Sequence, residues 1–294
     1  MATRTVRPEP PLIVIVGPTA SGKTGLAVEL AKQCHGEIIC ADSRTIYQDM
    51  NIGTAKPTEE EQAAVPHWGL DLVEPGERFT AADFKSYALE KISEIRQRGH
   101  VPFLVGGTGL YIDGVVLDYH FGGEVDAELR KKLMGKSEEE LIEYCIKNNI
   151  ELPENVHNKR YIIRSIEQNG INRQRRNSII ENCIVVGIST ENEELRKRIV
   201  DRTEQLFLNG IVDEAKLLGK KYGWDGEAMT ANIYPLLHDY IQGKLTLEDV
   251  KQAFITADWK LAKRQRTWLM RHDFIRWLSL NDADAYLKRY LAIE

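Results

Sequence analysis

The sequence has few cysteines, and their arrangement indicates neither a disulfide framework nor a zinc site. Its 294 residues contain four, which are scattered and form no C-x-x-C pair: Cys34, Cys40, Cys145 and Cys183. No run reaches the roughly 18 apolar residues that a membrane span requires. The first eleven residues contain no apolar segment typical of a signal peptide. We therefore expect a cytoplasmic protein that does not contact membranes.

The chain also lacks a large charge of one sign, yet its positive charges are concentrated in two segments. The formal net charge is −5 at pH 7. Six cations accompany one anion, Glu167, in the first basic segment, which contains Lys159, Arg160, Arg164, Arg173, Arg175 and Arg176. Six cations accompany Asp273 in the second, which contains Lys260, Lys263, Arg264, Arg266, Arg271 and Arg276. Such segments on an acidic protein indicate either a local nucleic-acid contact or a solvated helix face.

The order of apolar runs and amphipathic segments predicts an α/β fold. The chain is 43% hydrophobic and long enough to bury a sizeable core. Predicted strands are Leu12–Val16, Glu37–Ala41, Val101–Val105, Asn182–Ile188 and Phe274–Leu278. We therefore expect a P-loop-type, three-layer core with a parallel sheet, made of residues 10–120 and 180–294.

Between the strands, charged helical patterns predominate, and residues 121–179 contain no strand-like run. The predicted helices of this insertion are Val125–Met134, Ser137–Lys147 and Asn158–Gln168. In the last third of the chain we expect helices at about Glu191–Leu218, Gly226–Gln242 and Thr246–Met270. Earlier in the chain, Thr80 should cap a helix that ends near Gly99, and Pro66-His67-Trp68 should be a loop. The pattern thus predicts a small helical insertion within an α/β core.

A phosphate-binding loop follows the first strand. Gly17–Thr24 fits G-x-x-x-x-G-K-[ST] and lies between an apolar strand and a helix-forming segment, as this motif requires. Small residues allow backbone N–H groups to converge on an anion, and the helix N-terminus adds partial positive charge. Lys23 supplies a full charge, and the Thr24 hydroxyl can hold Mg²⁺ that bridges phosphate oxygens. The motif predicts a phosphate ligand without specifying which one.

Two further strand ends carry polar residues. Asp42 follows the second strand, where α/β folds collect their ligands, and it could be a magnesium ligand, a substrate contact, a general base or a turn residue. The third strand runs into Gly106–Gly109, a small-residue turn in which Thr108 supplies a hydroxyl. This turn suits backbone and hydroxyl donors aimed at a ligand, or it is structural.

Taken together, the motifs resemble one family, the bacterial tRNA dimethylallyltransferases, also called tRNA isopentenyltransferases. The matching segments occur in the family's order over almost the whole chain. They are GPTASGKT (Gly17–Thr24), ADSRTIYQDMNIGTAKP (Ala41–Pro57), SYALE (Ser86–Glu90), VPFLVGGTGLY (Val101–Tyr111) and LAKRQRTWL (Leu261–Leu269). The phosphate loop is common to many kinases, whereas the other segments are far more specific.

The resemblance implies transfer of a dimethylallyl group from dimethylallyl diphosphate to N6 of the adenosine 3′-adjacent to the tRNA anticodon. It assigns Asp42 as the base, Thr108 as the hydroxyl at the bridging oxygen, and Arg202 as a further diphosphate ligand. The implied diphosphate ligands are Gly17, Thr19, Ala20, Ser21, Gly22, Lys23 and Thr24, and Thr24 would hold Mg²⁺. The implied contacts to the tRNA anticodon stem-loop are Asp42, Ser43, Arg44, Thr45, Arg160, Tyr161, Arg164, Lys263, Arg264 and Gln265. A monomer is expected.

Three alternatives are considered beside this interpretation. A nucleotide or small-metabolite kinase would use Asp42 as a phosphoryl-acceptor base or a magnesium ligand. A guanine-nucleotide switch is disfavoured, because Asn158-Lys159-Arg160-Tyr161 lacks the Asp of N-K-x-D and no D-x-x-G occurs. A free-nucleotide prenyltransferase is disfavoured by the two basic segments and by the complete KRQ-x-TW motif.

Overall fold

The structure is a computed structural model that describes residues 9–122, 126–153, 155–168, 176 and 178–293. Two compact units are present, one formed by Met1–Ile112 with Glu181–Glu294 and the other by Asp113–Ile180. The boundaries of 121 and 179 drawn from sequence stay a prediction. Val125, Arg173 and Arg175, which the sequence analysis used, lie outside the described residues.

One parallel sheet forms the centre of the first unit. Within the described residues it has six strands: β1 Leu12–Val16, β2 Gly36–Ala41, β3 His67–Trp68, β4 Val101–Gly106, β5 Cys183–Ile188 and β6 Arg276–Leu278. Their order is β3-β2-β4-β1-β5-β6, and each neighbouring pair is parallel. All five residues of β1 are completely buried, because both faces of a parallel sheet are covered. The predicted α/β fold with a parallel sheet is confirmed.

The helices alternate with the strands and continue beyond them. In chain order they are α1 Lys23–Gln33, α2 Glu59–Ala64, α3 Ala81–Gln97, α4 Gly109–Val116, α5 Ala127–Met134, α6 Glu138–Lys147, α7 Lys159–Gln168, α8 Asn192–Leu208, α9 Ile211–Tyr222, α10 Tyr234–Ile241, α11 Leu247–Leu269 and α12 Leu280–Leu291. Thr80 and Thr246 cap α3 and α11 as capping boxes, each accepting a hydrogen bond from the N–H three residues on. The predicted cap at Thr80 is therefore confirmed.

The layers are held by apolar side chains on both sides of the sheet. Helices α1 and α12 pack together over one face, in a core that contains Ile13 and Ile15 of β1. Helix α3 packs on β2 and β4, and its buried residues include Phe84 and Ile92, which are not part of that core cluster. This arrangement gives the three layers expected from the sequence.

Several elements differ from the sequence-based prediction. His67–Trp68, expected in a loop, forms the edge strand β3 and pairs with Ile38 and Ile39. The helix expected over Glu191–Leu218 is divided into α8 and α9 at Gly210, whose φ of 89° only glycine adopts readily.

Two other differences concern the last third of the chain. The helix expected from Gly226 begins only at Tyr234, because Ala228–Thr230 forms a short 3₁₀ turn. Helix α12 was not predicted, although Ser279 caps it by accepting from Asp282 N–H.

The second unit is helical where it is described. Helices α5, α6 and α7 enclose a small core that includes Leu141, Cys145 and Ile162. No strand occurs in the described part of residues 113–180. All four cysteines are free thiols in the structure. Across the described ranges, no helix is both long and apolar enough to cross a membrane.

Candidate active site

The candidate site lies at the carboxyl edge of the sheet, where three strands end in one row. Val16 and Ala41 are both in register with Gly106, so β1, β2 and β4 end side by side. The segments that follow them are the phosphate loop, the Asp42 segment and the turn that contains Thr108. The carboxyl edge of such a sheet is where α/β proteins bind ligands.

The phosphate loop closes on itself and leads directly into α1. Ser21 N–H donates to Pro18 O at 3.3 Å, and Lys23 Nζ donates to the same carbonyl at 3.2 Å. Gly22 is in the left-handed region with φ 88°, immediately before the first helical residue, Lys23. A positive φ at this point turns successive N–H groups toward one side, which is the geometry of an anion-binding concavity.

The surroundings of Lys23 cause its ammonium group to lose a proton more readily than usual. The residue is half-buried and lines the cleft, and its Nζ donates to Pro18 O. Burial, aided by the positive charge of Arg202, lowers the pKa of Lys23 to about 8, whereas the Asp42 carboxylate partly opposes this shift. An anion bound here would compensate for the desolvation and restore the charge.

Asp42 is fixed through one carboxylate oxygen. Its Oδ1 accepts a hydrogen bond from Arg44 N–H at 2.8 Å, an Asx-type turn that sets the orientation of the side chain. Within the described residues, no hydrogen bond is made to Oδ2. One oxygen of a half-buried carboxylate therefore remains able to accept a proton from a ligand.

Thr108 lies beside Asp42 and presents a hydroxyl that accepts from the protein. Ser43 N–H donates to Thr108 Oγ1 at 3.1 Å, and Thr108 N–H donates to Ala41 O at 3.3 Å. Because Oγ1 already accepts a backbone N–H, its own proton is available to a ligand oxygen. Both bonds connect the end of β2 to the turn after β4.

Arg202 reaches the phosphate loop from α8. Its Nη1 donates to the Thr19 hydroxyl, and its Nη2 lies 3.6 Å from Asp258 Oδ2. Asp258 is only 3% exposed, and its Oδ1 accepts from Asn232 Nδ2 at 2.9 Å. A buried carboxylate that is hydrogen-bonded and close to a cation can hold that cation in one orientation. Sequence reasoning missed Asp258 and Asn232.

These residues surround one cleft of about 480 Å³. The predicted site residues that line it are Thr19, Ala20, Ser21, Gly22, Lys23, Thr24, Asp42, Ser43, Arg44, Thr45, Thr108, Arg202, Arg264 and Gln265. Gly17 and Lys263 are not among its lining residues, and the Lys263 ammonium lies 5.3 Å from the Trp259 ring centre. Most of the residues that the resemblance selected therefore converge on one cleft.

Three of the residues expected to contact tRNA are engaged by the protein around this cleft. Thr45 is buried, and its hydroxyl lies 3.4 Å from Asp42 O. Arg44 Nη1 donates to Glu227 O at 2.9 Å. Gln265 Oε1 accepts from Thr19 N–H at 2.8 Å, which connects α11 to the phosphate loop.

Three further predicted tRNA contacts, Arg160, Tyr161 and Arg164, belong to the second unit. On α7, Arg160 and Tyr161 are exposed, whereas Arg164 donates to Phe121 O at 2.9 Å and lies 3.3 Å from Glu167. Glu167 is also held by Arg130 at 2.6 Å. Arg160 and Tyr161 therefore present exposed polar groups, while Arg164 contributes to the internal structure of the unit.

A carboxylate that the sequence analysis did not select holds one wall of the cleft. Glu214 of α9 accepts from three successive backbone N–H groups, those of Asn51, Ile52 and Gly53, at 2.7–2.9 Å. The Tyr234 hydroxyl also donates to it at 2.8 Å. Glu214 thereby fixes the turn whose continuation, from Gly53 to Pro57, lines the cleft.

Comparison with known proteins gives consistent matches along the chain. The IPP transferase family model matches residues 45–273, and an isopentenyl transferase model matches residues 10–70. The tRNA dimethylallyltransferase of Acetivibrio thermocellus is 37% identical over 304 residues, covering 96% of this chain and 97% of its own length.

Solved structures show the same similarity. The full-length tRNA isopentenylpyrophosphate transferase of Bacillus halodurans has a TM-score of 0.74 at 33% identity, covering 96% of this chain and 95% of its own. A eukaryotic dimethylallyltransferase, described as acting on tRNA, has a TM-score of 0.77 at 20% identity, covering 92% and 73% respectively. This second likeness concerns the fold alone.

Proposed function

This chain belongs to the IPP transferase family, and we propose on that premise that it transfers a dimethylallyl group to tRNA. The donor is dimethylallyl diphosphate, and the acceptor is N6 of the adenosine 3′-adjacent to the anticodon. The observation that carries the proposal is the convergence of the phosphate loop, Asp42, Thr108 and Arg202 on one cleft. Family membership supplies the reaction class, and the cleft supplies groups with the required chemistry.

The leaving group is stabilised by fixed positive groups. Breaking the allylic C–O bond builds positive charge on carbon and negative charge on pyrophosphate. Lys23, Arg202 and the loop N–H groups surround the position of the phosphates, so they can stabilise this charge without reorganising. The Thr108 hydroxyl donates its hydrogen bond to the bridging oxygen as that bond breaks.

The residues present also suit Mg²⁺. Thr24 lines the cleft with a hydroxyl, and hydroxyl, carboxylate and phosphate oxygens are the ligands that Mg²⁺ prefers. Among the described residues, no group of three or more His, Cys, Asp or Glu could hold a metal. Thr24 would therefore hold an ion bound mainly by diphosphate and water. When bound, Mg²⁺ supplies further charge neutralisation on the phosphates.

Asp42 acts as the base. The adenine N6 amine is a weak nucleophile because its lone pair is delocalised, and it becomes acidic as the C–N bond forms. Asp42 Oδ2 then accepts the N6 proton, while Oδ1 stays bonded to Arg44 N–H. The C–N bond forms, the C–O bond breaks, pyrophosphate leaves, and the proton is on Asp42.

The proposed acceptor is a folded anticodon stem-loop. Its adenosine must leave its stack to reach a cleft, which costs a few kcal/mol that backbone contacts offset. Arg160 of the first basic segment and Arg264 of the second are exposed cations available for phosphate contacts. We propose that the protein works as a monomer in the cytoplasm.

Two measurements test the proposed function. Dimethylallyl diphosphate with Mg²⁺ should raise the melting temperature more than ATP does, whereas a kinase would show the reverse order. Prenyl transfer should be much faster to an anticodon stem-loop than to AMP. Equal rates with the two acceptors would contradict the proposal and favour a free-nucleotide prenyltransferase.

A further inference from the structure

We propose that Gln265 is a positioning residue for the phosphate loop, and therefore for the donor, instead of a contact to the acceptor RNA. The inference rests on the proposed function, because dimethylallyl diphosphate is taken as the loop's ligand. It concerns the KRQ-x-TW motif, whose Gln the family resemblance placed among the RNA contacts.

The first support is the hydrogen bond that Gln265 makes. Its Oε1 accepts from Thr19 N–H at 2.8 Å, across 246 residues of sequence. Thr19 is 8% exposed, so its N–H would lack a solvent partner if the Gln265 amide were removed. Thr19 is the third residue of the loop motif, so this hydrogen bond stabilises the observed shape of the loop.

The second support is the space around the Gln265 side chain. A Cβ built on Gly107 would lie 2.6 Å from Gln265 Nε2 and 3.0 Å from Gly17 O. The Gln265 amide therefore occupies the gap between the phosphate loop and the turn after β4. Gly107 leaves room for it, because a side chain there would contact the amide too closely.

The third support is a second connection between α11 and the same loop residue. Asp258 precedes Gln265 by seven residues, two helical turns, so both side chains leave α11 on one side. Asp258 pairs with Arg202, whose Nη1 donates to the Thr19 hydroxyl. Helix α11 thus holds the backbone of Thr19 through Gln265 and its side chain through Asp258 and Arg202.

The exposure of neighbouring residues agrees with this role. Lys263 and Arg264, which precede Gln265 in the motif, are exposed, whereas Gln265 is half-buried against the loop. Its carbonyl oxygen is already used by Thr19. An RNA donor at this oxygen would have to share it with Thr19 N–H, because the oxygen already accepts that bond.

The test compares Gln265→Met with a matched control on the same helix, Gln252→Met. Met keeps the length of the side chain and removes the amide, and Gln252 is exposed and donates to Glu248 at 2.9 Å. Calorimetric titration should measure dimethylallyl diphosphate with Mg²⁺ in the absence of RNA, and an anticodon stem-loop in the absence of donor.

We expect Gln265→Met to weaken donor binding roughly tenfold, because a buried N–H loses its acceptor. Stem-loop binding should change less than about twofold, and Gln252→Met should change neither constant. Hydrogen exchange in the loop peptide, measured without ligand and well below the melting temperature, should accelerate only in Gln265→Met. In steady-state assays the KM for the donor should rise while that for tRNA stays the same.

Unchanged donor binding, or a loss confined to the stem-loop or shared equally with it, would overturn the inference. Unchanged exchange in the loop peptide would do the same. If the wild-type protein bound no dimethylallyl diphosphate, the proposed function would fall together with the inference. Wild-type binding that Gln265→Met leaves intact would contradict the inference alone.

Discussion

Donor binding should depend on pH through Lys23. Burial lowers the pKa of Lys23 to about 8, with the Arg202 charge adding to this shift. The diphosphate binds best to the protonated form, and its negative charge raises the pKa again in the complex. Donor affinity should therefore fall as Lys23 loses its proton above about pH 8.

The size of the effect follows from the protonated fraction. With a pKa of about 8, roughly a tenth of the free protein carries the Lys23 proton at pH 9, and roughly a hundredth at pH 10. The dissociation constant should rise about tenfold for each of these steps. The neighbouring Cys40 thiol contributes little in this range, because burial raises its pKa to about 12.

The assay is calorimetric titration with dimethylallyl diphosphate between about pH 7 and pH 10, in buffers of different ionisation enthalpy. Proton uptake on binding should appear above about pH 8. Lys23→Met should bind weakly at every pH, with a nearly flat profile. A flat wild-type profile, or a slope that persists in Lys23→Met, would refute this explanation.

Four other substitutions have distinct expected effects. Asp42→Asn should leave donor binding nearly intact and lower kcat by roughly 10²–10⁴, the effect typical of removing a general base. Normal turnover with tRNA would show that Asp42 is only a structural residue of its turn. Arg202→Ala should cost about 2.7–4 kcal/mol in kcat/KM, as for one preorganised donor, and an unchanged kcat/KM would remove Arg202 from the site. Glu214→Ala leaves three backbone N–H groups without their acceptor and should lower the free energy of unfolding by about 1–3 kcal/mol in urea denaturation. The control is Asp213→Ala, a substitution of the exposed neighbouring residue. An equal loss of unfolding free energy in both variants would argue that Glu214 does not hold the Asn51–Gly53 turn. Arg160→Ala should reduce the slope of log binding constant against log salt concentration, measured for the stem-loop, by about 0.7–0.9 per lost phosphate contact. An unchanged slope would show that Arg160 does not contact a phosphate of the stem-loop.

The parts of the site that were predictable from sequence depend on local patterns. The phosphate loop is a continuous motif between an apolar run and a helix, so its strand–loop–helix structure follows from adjacent residues. Asp42 and Thr108 each follow an apolar run. Because parallel strands end at the same edge, their proximity followed from the fold class.

The residues that sequence reasoning missed act through distant contacts. Asp258 and Glu214 are ordinary acidic residues of helices in sequence, and only the folded chain brings them to Arg202 and to the turn at Asn51–Gly53. One signal was available for Asp258, since its spacing of seven from Gln265 places both on one side of α11. Glu214 had no comparable signal.

Errors in the secondary structure have similar physical causes. Two residues are too short a segment to show a strand pattern, so β3 was not predicted. Gly210 follows Asn209 at the end of α8, and this pair is a typical helix stop that the longer helical pattern obscured.

The most direct test of the proposed function is analysis of the reaction product. Unmodified tRNA is incubated with the protein, dimethylallyl diphosphate and Mg²⁺, digested to nucleosides and analysed by mass spectrometry, with Asp42→Asn as the matched control. We expect one new adenosine derivative, heavier by a dimethylallyl group in place of one N6 hydrogen, located next to the anticodon and strongly reduced with Asp42→Asn. Absence of this nucleoside would contradict the proposed function. Its formation at the same rate with Asp42→Asn would contradict the role of Asp42 as the base.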